Sequence, residues 1–394
     1  MRWLAAALLC VACGSNDEAV APTADAGSAS GGNAGASGGS SGTGGSGGTA
    51  GGSGTAGNGG GGSGGGGGTA GTADGGGAGG AGGAGGGGGA GGAGGAGGGG
   101  DPFVLGKTCP TAALTGPRVA LNELTPDSGV ITLATPGQIY ERRLLDGRIV
   151  VKAPNVVVRD CVIRMPASTT DIRGIFVATS GATGVSIEHN RIEVPAANRS
   201  FYQGYGIQGS GFTASRNDIS GTVDGISMAG VNQRSFAIAK GNFIHGLVHY
   251  DNPPDTSHAD GSHNDCIQVE GNLTSVSIIG NSLHAGHTSA VLVTQDNGTY
   301  DAPPELTDNC FYIEDASAGS ILNVKSSMTP ISGLAILRNR FTRDLPAKAR
   351  MILYPGHLAV ANITATGTDK NRYDTGDPAD VVPVWNGQKL LYGY

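Results

Sequence analysis

Six of the chain's eight histidines fall between residues 245 and 287: His245, His249, His258, His263, His284 and His287. The same window holds Asp251, Asp255, Asp260 and Asp265. Imidazole and carboxylate together are the usual means of moving a proton near neutral pH, so this window is the first place to look for acid–base chemistry. Two carboxylates held one strand apart can act as the acid and the base or nucleophile of glycoside hydrolysis. A lyase instead needs a base for a proton α to a carboxylate, and a positive group to neutralise that carboxylate. The spacings His245-x₃-His249 and His284-x₂-His287 resemble metal-ligand pairs, but that rule belongs to helices, and turns and strands are expected here. A third reading makes His263 and Asp265 the start of a hydrogen-bonded turn. His189 and His357 are read as satisfied polar groups.

These residues sit on a repeat. One phrase recurs at 185–192, 212–219, 236–244, 276–283 and 334–341: an alternating apolar strand, a polar pair, Asn, and another apolar residue. Its asparagines are Asn190, Asn217, Asn242, Asn281 and Asn339, and 156–163 repeats the phrase with Cys161 in the Asn position. A second phrase lies between the copies, at 173–177, 205–209, 224–228, 265–269 and 289–293. Both have the period of two that marks strands. The asparagines are 27, 25, 39 and 58 residues apart, so insertions interrupt a unit of about 25 residues. Short strands at that spacing, with no helical pattern between them, predict an all-β solenoid of stacked parallel coils rather than a sandwich.

Stacking would align Ile175, Ile207, Ile226, Ile267 and Val291 as an internal apolar ladder, and the asparagines as a second ladder satisfying buried backbone groups. Gln208, Ser227 and Gln268 alternate with the apolar ladder, between Phe176 and Leu292. They would form a polar strip outside one sheet, able to bond sugar hydroxyls. Tyr202, Tyr205 and Tyr250 would offer stacking faces, and the insertion 249–262 would wall the groove. Asp224 and Asp265 take the same slot at the mouth of their strands, and His287 stands just before it on the next coil. Candidate catalytic residues are therefore Asp265, His263, His287 and Asp224; candidate substrate-binding residues are Gln208, Ser227, Gln268 and Tyr250.

The remaining composition sets the context. Of 75 glycines, 46 lie in residues 1–100, a stretch with too little apolar side chain to offset the entropy of ordering. Residues 14–100 read as a disordered Gly/Ser/Ala-rich linker reaching about 50 Å. Residues 1–13, MRWLAAALLCVAC, are too short an apolar run to span a bilayer and read as a signal peptide. The net charge of −7 is spread over both halves and excludes a concentrated basic surface for nucleic acid. The domain 101–394 would carry an amino-terminal cap over 103–150 and a closing segment over 345–394. Of the four cysteines beyond the signal, Cys109 and Cys161 are expected to pair and fasten the cap. Cys266 is expected inside a coil.

The sequence resembles the right-handed parallel β-helix proteins of the pectate-lyase-like superfamily over roughly 130–345. It is similar in particular to bacterial secreted proteins carrying the phrase seen at His263, Asn264, Asp265, Cys266, Ile267 and Gln268. Their next coil ends in an apolar strand with a Gln-Asp-x-Gly phrase, matched by Gln295, Asp296 and Gly298. The resemblance implies the fold, and a spread of activities: polysaccharide lyases, glycoside hydrolases, epimerases and non-catalytic adhesins. Asp265-Cys266-Ile267 and Gly286-His287 resemble polygalacturonase phrases. Asn264 and Thr288 depart from them, and no Arg-Ile-Lys phrase follows. Ca²⁺ is the cofactor that a lyase of this kind would use. Cys13, after Val11 and Ala12, resembles the lipidated cysteine of a bacterial lipoprotein signal, and Gly14 after it resembles outer-membrane sorting. The expectation is an exported, carbohydrate-active monomer whose partners are a polysaccharide and, through the lipid anchor, a membrane. The alternative is a tethered module that binds glycan or protein without catalysis.

Overall fold

The computed structural model describes residues 107–168, 172–178, 181–199, 204–230, 233–252, 261–315, 320–324, 331–343, 351–353, 358–363, 369–375, 382, 384–385 and 390–391. The chain divides into units Met1–Ala96 and Gly97–Tyr394, and all of these residues lie in the second. The signal peptide, Cys13 and the linker 14–100 lie outside them, as do Tyr202, Asp255, His258, Asp260 and His357.

Each coil has three strands. The first face is a nine-stranded sheet running from Ile139–Glu141, Val157–Arg159 and Val185–Glu188 to Leu358–Ile363. The second face holds short strands such as Arg191–Glu193, Asp218–Ser220, Phe243–His245, Ser282–Ala285 and Cys310–Ile313. The third holds Arg173–Val177, Tyr205–Gly209, Asp224–Ala229, Asp265–Gly271, Ser289–Val293 and Ser320–Val324. Arg143–Val151 serves the second and third faces at once, so those two count as a single nineteen-stranded sheet. The pairings between successive coils are parallel, and among the described residues only the final pair, Val384–Trp385 with Leu390–Leu391, is antiparallel. The described residues thus form an all-β solenoid of stacked parallel strands.

The two phrases of the sequence map onto this plan: the first is a first-face strand, a corner and a second-face strand, and the second phrase is the third face. Ile149, Ile175, Ile207, Ile226, Ile267, Val291 and Leu322 pair in one unbroken row, each fully buried. That row is the expected apolar ladder, one rung longer at each end.

The corner between the first and second faces is built from asparagine. Asn217 Nδ2 donates to Ile187 O (2.9 Å) and to Asn242 Oδ1 (2.9 Å), and Asn242 Oδ1 also accepts the Asn217 N–H (3.0 Å). The same set of bonds runs from Asn190 to Asn217, Asn242, Asn281, Asn309, Asn339 and Asn371, with every one of these residues fully buried. Asn309 and Asn371 join the row beyond the copies legible in the sequence, and Asn309 divides the 58-residue gap into ordinary coils. The residue before each Asn from 190 to 339 has positive φ: His189, Arg216, Asp308 and Arg338, with glycine at 241 and 280. That left-handed residue lets the chain turn while its N–H still pairs with the next coil, as His189 does with Ser215 O (3.0 Å).

The ends differ from expectation. Residues 125–151 already form rungs of the sheets, and rungs continue to 385, so the caps are shorter than 103–150 and 345–394. Residues 107–118 form a strap that lies back along the Asn corner. Arg340 Nη2 donates to Lys107 O (2.8 Å), Cys109 is bonded to Cys310, Gly116 N–H donates to Arg216 O (3.0 Å), and Arg118 makes a two-pronged bond with Asp160 (2.9 and 2.6 Å). The strap crosses six rung steps, roughly 30 Å at the spacing of a parallel sheet. The expected Cys109–Cys161 pairing is therefore corrected. Cys161 is a buried thiol in the Asn row, donating to Arg159 O (3.1 Å), while Cys109 lies against the outer position Cys310. Cys266 is buried inside its coil, as expected.

Candidate functional site

The third face opens at a second corner, and packing dictates its residues. Gly174, Gly206 and Gly225 sit where the chain turns into the third face; a Cβ on Gly206 would lie 2.6 Å from Ile219 Cγ2 and 2.7 Å from Gly225 O. This close approach explains the x-Gly-Ile phrase. The residues just before this row are Arg173, Tyr205, Asp224, Asp265, Ser289 and Ser320, in register on successive rungs.

Asp224 and Asp265 are brought together: the Asp265 N–H donates to Asp224 Oδ1 at 2.7 Å. Both are buried, at 6% and 1% exposure. Asn264 beside them spans the corner, with Nδ2 donating to Val223 O (3.1 Å) and its N–H to Thr288 Oγ1 (2.9 Å). Around the pair, buried Thr222 Oγ1, Asn264 Oδ1 and Ser289 Oγ have no hydrogen-bond partner among the described residues, and Asn323 Oδ1 is in the same state further along this face. Buried oxygens of this kind are uncommon and call for a reason.

The histidine window divides in two. His287 stacks on His249 with ring centroids 3.7 Å apart, and half-buried His263 lies next to Asn264. His249 Nδ1 meets Ser262 O (2.8 Å) and Nε2 meets Asp251 (3.3 Å). Tyr250 is tied down: its hydroxyl donates to Arg199 O (2.6 Å), its N–H donates to Ser262 Oγ (2.9 Å), and burial pushes its phenol up. His245 and His284 lie instead on the second face, in a row with Tyr312. There His245 bonds Asp218 (2.9 Å) and stacks on Phe243, while His284 bonds Glu314 (3.1 Å). The described histidines of the window therefore lie on two faces that the coil separates, with His263 and His287 on the side of Asp265.

Gln208, Ser227 and Gln268 do form one row between Phe176 and Leu292. The row is open only at its glutamines. Ser227 is fully buried and donates to Glu270 Oε1 (3.0 Å), whose other oxygen accepts from Asn297 Nδ2 (2.7 Å). The sequence reading did not single out Arg173 or Glu270. Arg173 could have been found, because it heads its copy of the second phrase as Asp224 and Asp265 head theirs. Glu270 has no such signal.

Among the described residues, no three His, Cys, Asp or Glu side chains are arranged to hold a metal. The two carboxylates at the corner, one already accepting a backbone N–H, fall short of the six to eight oxygens that Ca²⁺ takes. The chain matches no protein-family model, no curated protein and no solved structure at a significant level.

Proposed function

We propose that this is an exported, carbohydrate-active solenoid that cleaves a polysaccharide along its third face, near residues 224–296. The observation that carries this reading is the pair Asp224 and Asp265, in register on consecutive rungs and joined by one hydrogen bond. Strands one rung apart lie about 4.8 Å from each other, a spacing at which two carboxyl groups can divide the acid and nucleophile roles of glycoside hydrolysis. His263 and His287 adjoin the pair as proton carriers, and β-elimination from a uronate would use one of them as base. The orphaned oxygens of Thr222, Asn264 and Ser289 add polar groups that a hydroxylated ligand can satisfy. The Cys109–Cys310 bond, which needs an oxidising compartment, supports export. The lipid anchor at Cys13 and the right-handed, pectate-lyase-like family assignment belong to the same proposal.

A screen of plant and microbial glycans tests it, following 235 nm absorbance for unsaturated products and reducing ends for hydrolysis. Turnover by the native protein and its loss in Asp265→Asn, with sugar still bound, is the expected result. An unchanged rate in the variant removes Asp265 from the mechanism. Burial of both carboxylates favours a second reading, a tethered glycan-binding module, which the screen would reveal as binding without products.

A further inference from the structure

Arg173 begins the third-face strand two rungs before Asp224, in the same column, with Tyr205 between them. Its guanidinium lies over the Phe176 ring (5.6 Å) and the Tyr205 ring (5.8 Å), and its Nε donates to Gln208 Oε1. Two aromatic faces and an amide therefore hold the head group in place. No carboxylate among the described residues pairs with it, and its two terminal nitrogens bond no described residue. By contrast Arg118, Arg159, Arg164, Arg191, Arg234 and Arg338 each meet an Asp or Glu. A positioned, half-buried cation without a counter-ion, in a chain of net charge −7, is a seat for an anion.

The spacing says which anion. At about 4.8 Å per rung, Arg173 stands roughly 10 Å from Asp224 and 15 Å from Asp265 along the stack. A glycan extended along that column reaches from one to the other, with separate sugar units at each. Gln208 keeps its amide NH₂ for a hydroxyl beside the charged group, and the exposed parts of Phe176 and Tyr205 can pack against a ring.

We infer that Arg173 is the specificity-determining residue of this face, binding the carboxylate of a uronate unit and thereby selecting acidic over neutral polysaccharide. The inference rests on the glycan-handling function proposed above, which had left acidic and neutral substrates equal.

The test compares galacturonate and alginate oligosaccharides with their carboxyl-reduced counterparts, by calorimetric titration of the full chain. The native protein is expected to prefer at least one uronate series over its reduced form by about 10- to 100-fold. Arg173→Gln should abolish the preference, bringing the ratio of the two affinities to about one, and Arg173→Lys should restore it only in part. The ratio of the two affinities is insensitive to any general loss of folded protein. A native protein that binds or cleaves neutral glycans without preferring acidic ones overturns this inference and leaves the proposed function standing. So does preference retained in Arg173→Gln, or retention of sulfated glycans alone. A native protein that takes no glycan overturns both.

Discussion

The solenoid has two corners made in opposite ways. At the Asn corner the rungs from Asn190 to Asn339 repeat one arrangement: each amide nitrogen donates forward to the next Asn and back to a carbonyl of the preceding coil, and each amide oxygen accepts from the rung before it. At the corner leading into the third face the residues vary along the stack, from Arg173 through Tyr205 and the pair Asp224 and Asp265 to Ser289, and buried oxygens have no partner among the described residues. The first arrangement holds the stack together. The second places varied chemistry at fixed spacing on a support that the first keeps rigid, and departures from full satisfaction gather where a ligand would be met.

Substitutions that act on one corner and spare the other would sharpen this contrast or abolish it. Asp265→Asn should lower turnover by about 10²- to 10⁴-fold while shifting unfolding free energy by less than about 1 kcal/mol, checked by product assay and urea melts. A large stability loss instead would make Asp265 a structural residue like the asparagines. Asn242→Ala should do the reverse. It strands the buried N–H and amide of Asn217 and the carbonyl of Ala214, and should cost about 3–4 kcal/mol in the same melts. If the protein tolerates it at under 1 kcal/mol, the ladder is not what holds the corner.

Cys109→Ser releases the strap from the Asn corner. Closing a loop of 201 residues contributes about 2–4 kcal/mol, so the variant should melt lower and match the reduced native protein. Acidification should weaken the same corner in two steps. Burial, then Arg118 and Arg216, push His189 below the ordinary imidazole range, so protonating it in the folded state is unfavourable and stability falls as pH drops below about 6.5. Burial pushes the Asp160 carboxyl up, but hydrogen bonds from Arg118 outweigh this and hold it below the usual range. That contribution is present above about pH 4 and is lost as pH falls through the folded value. Melting temperatures at pH 7, 5 and 3.5 should show both steps, and His189→Asn should remove the first alone. The smallest effect expected is a gain: Arg216→Gly relieves a positive-φ residue by about 0.5–1 kcal/mol. No gain, or a loss, would mean that the bond from Gly116 to this turn depends on the arginine.

The Asn corner was legible because a repeated structure leaves a repeated sequence. Asn190, Asn217, Asn242 and Asn281 recur with apolar neighbours, since each must fit the same buried turn. Asn309 escaped notice because Cys310, the partner of Cys109, follows it where other coils have Arg, Asp, Phe or Ser. The site was legible only in part. The shared slot of Asp224 and Asp265 could be counted from the second phrase, and so could the row of Gln208, Ser227 and Gln268. Burial of Ser227 under Glu270 could not, because nothing in the phrase states how far a side chain outside the sheet is covered. Which histidines of residues 245–287 share a face could not be counted, because a stretch of that length passes around more than one face of the solenoid.

Local pattern determined the coil, its two strand phrases, the apolar row from Ile175 to Val291, and the asparagine turns. Each of these is set by what a residue meets in the identical position one rung away. The tertiary structure decided whatever joins unlike positions: Cys109 to Cys310 across 201 residues, His287 onto His249, His245 and His284 to another face, and Arg173 between Phe176 and Tyr205. Such contacts depend on where the chain crosses itself in space, and a period of two along a strand carries no record of that.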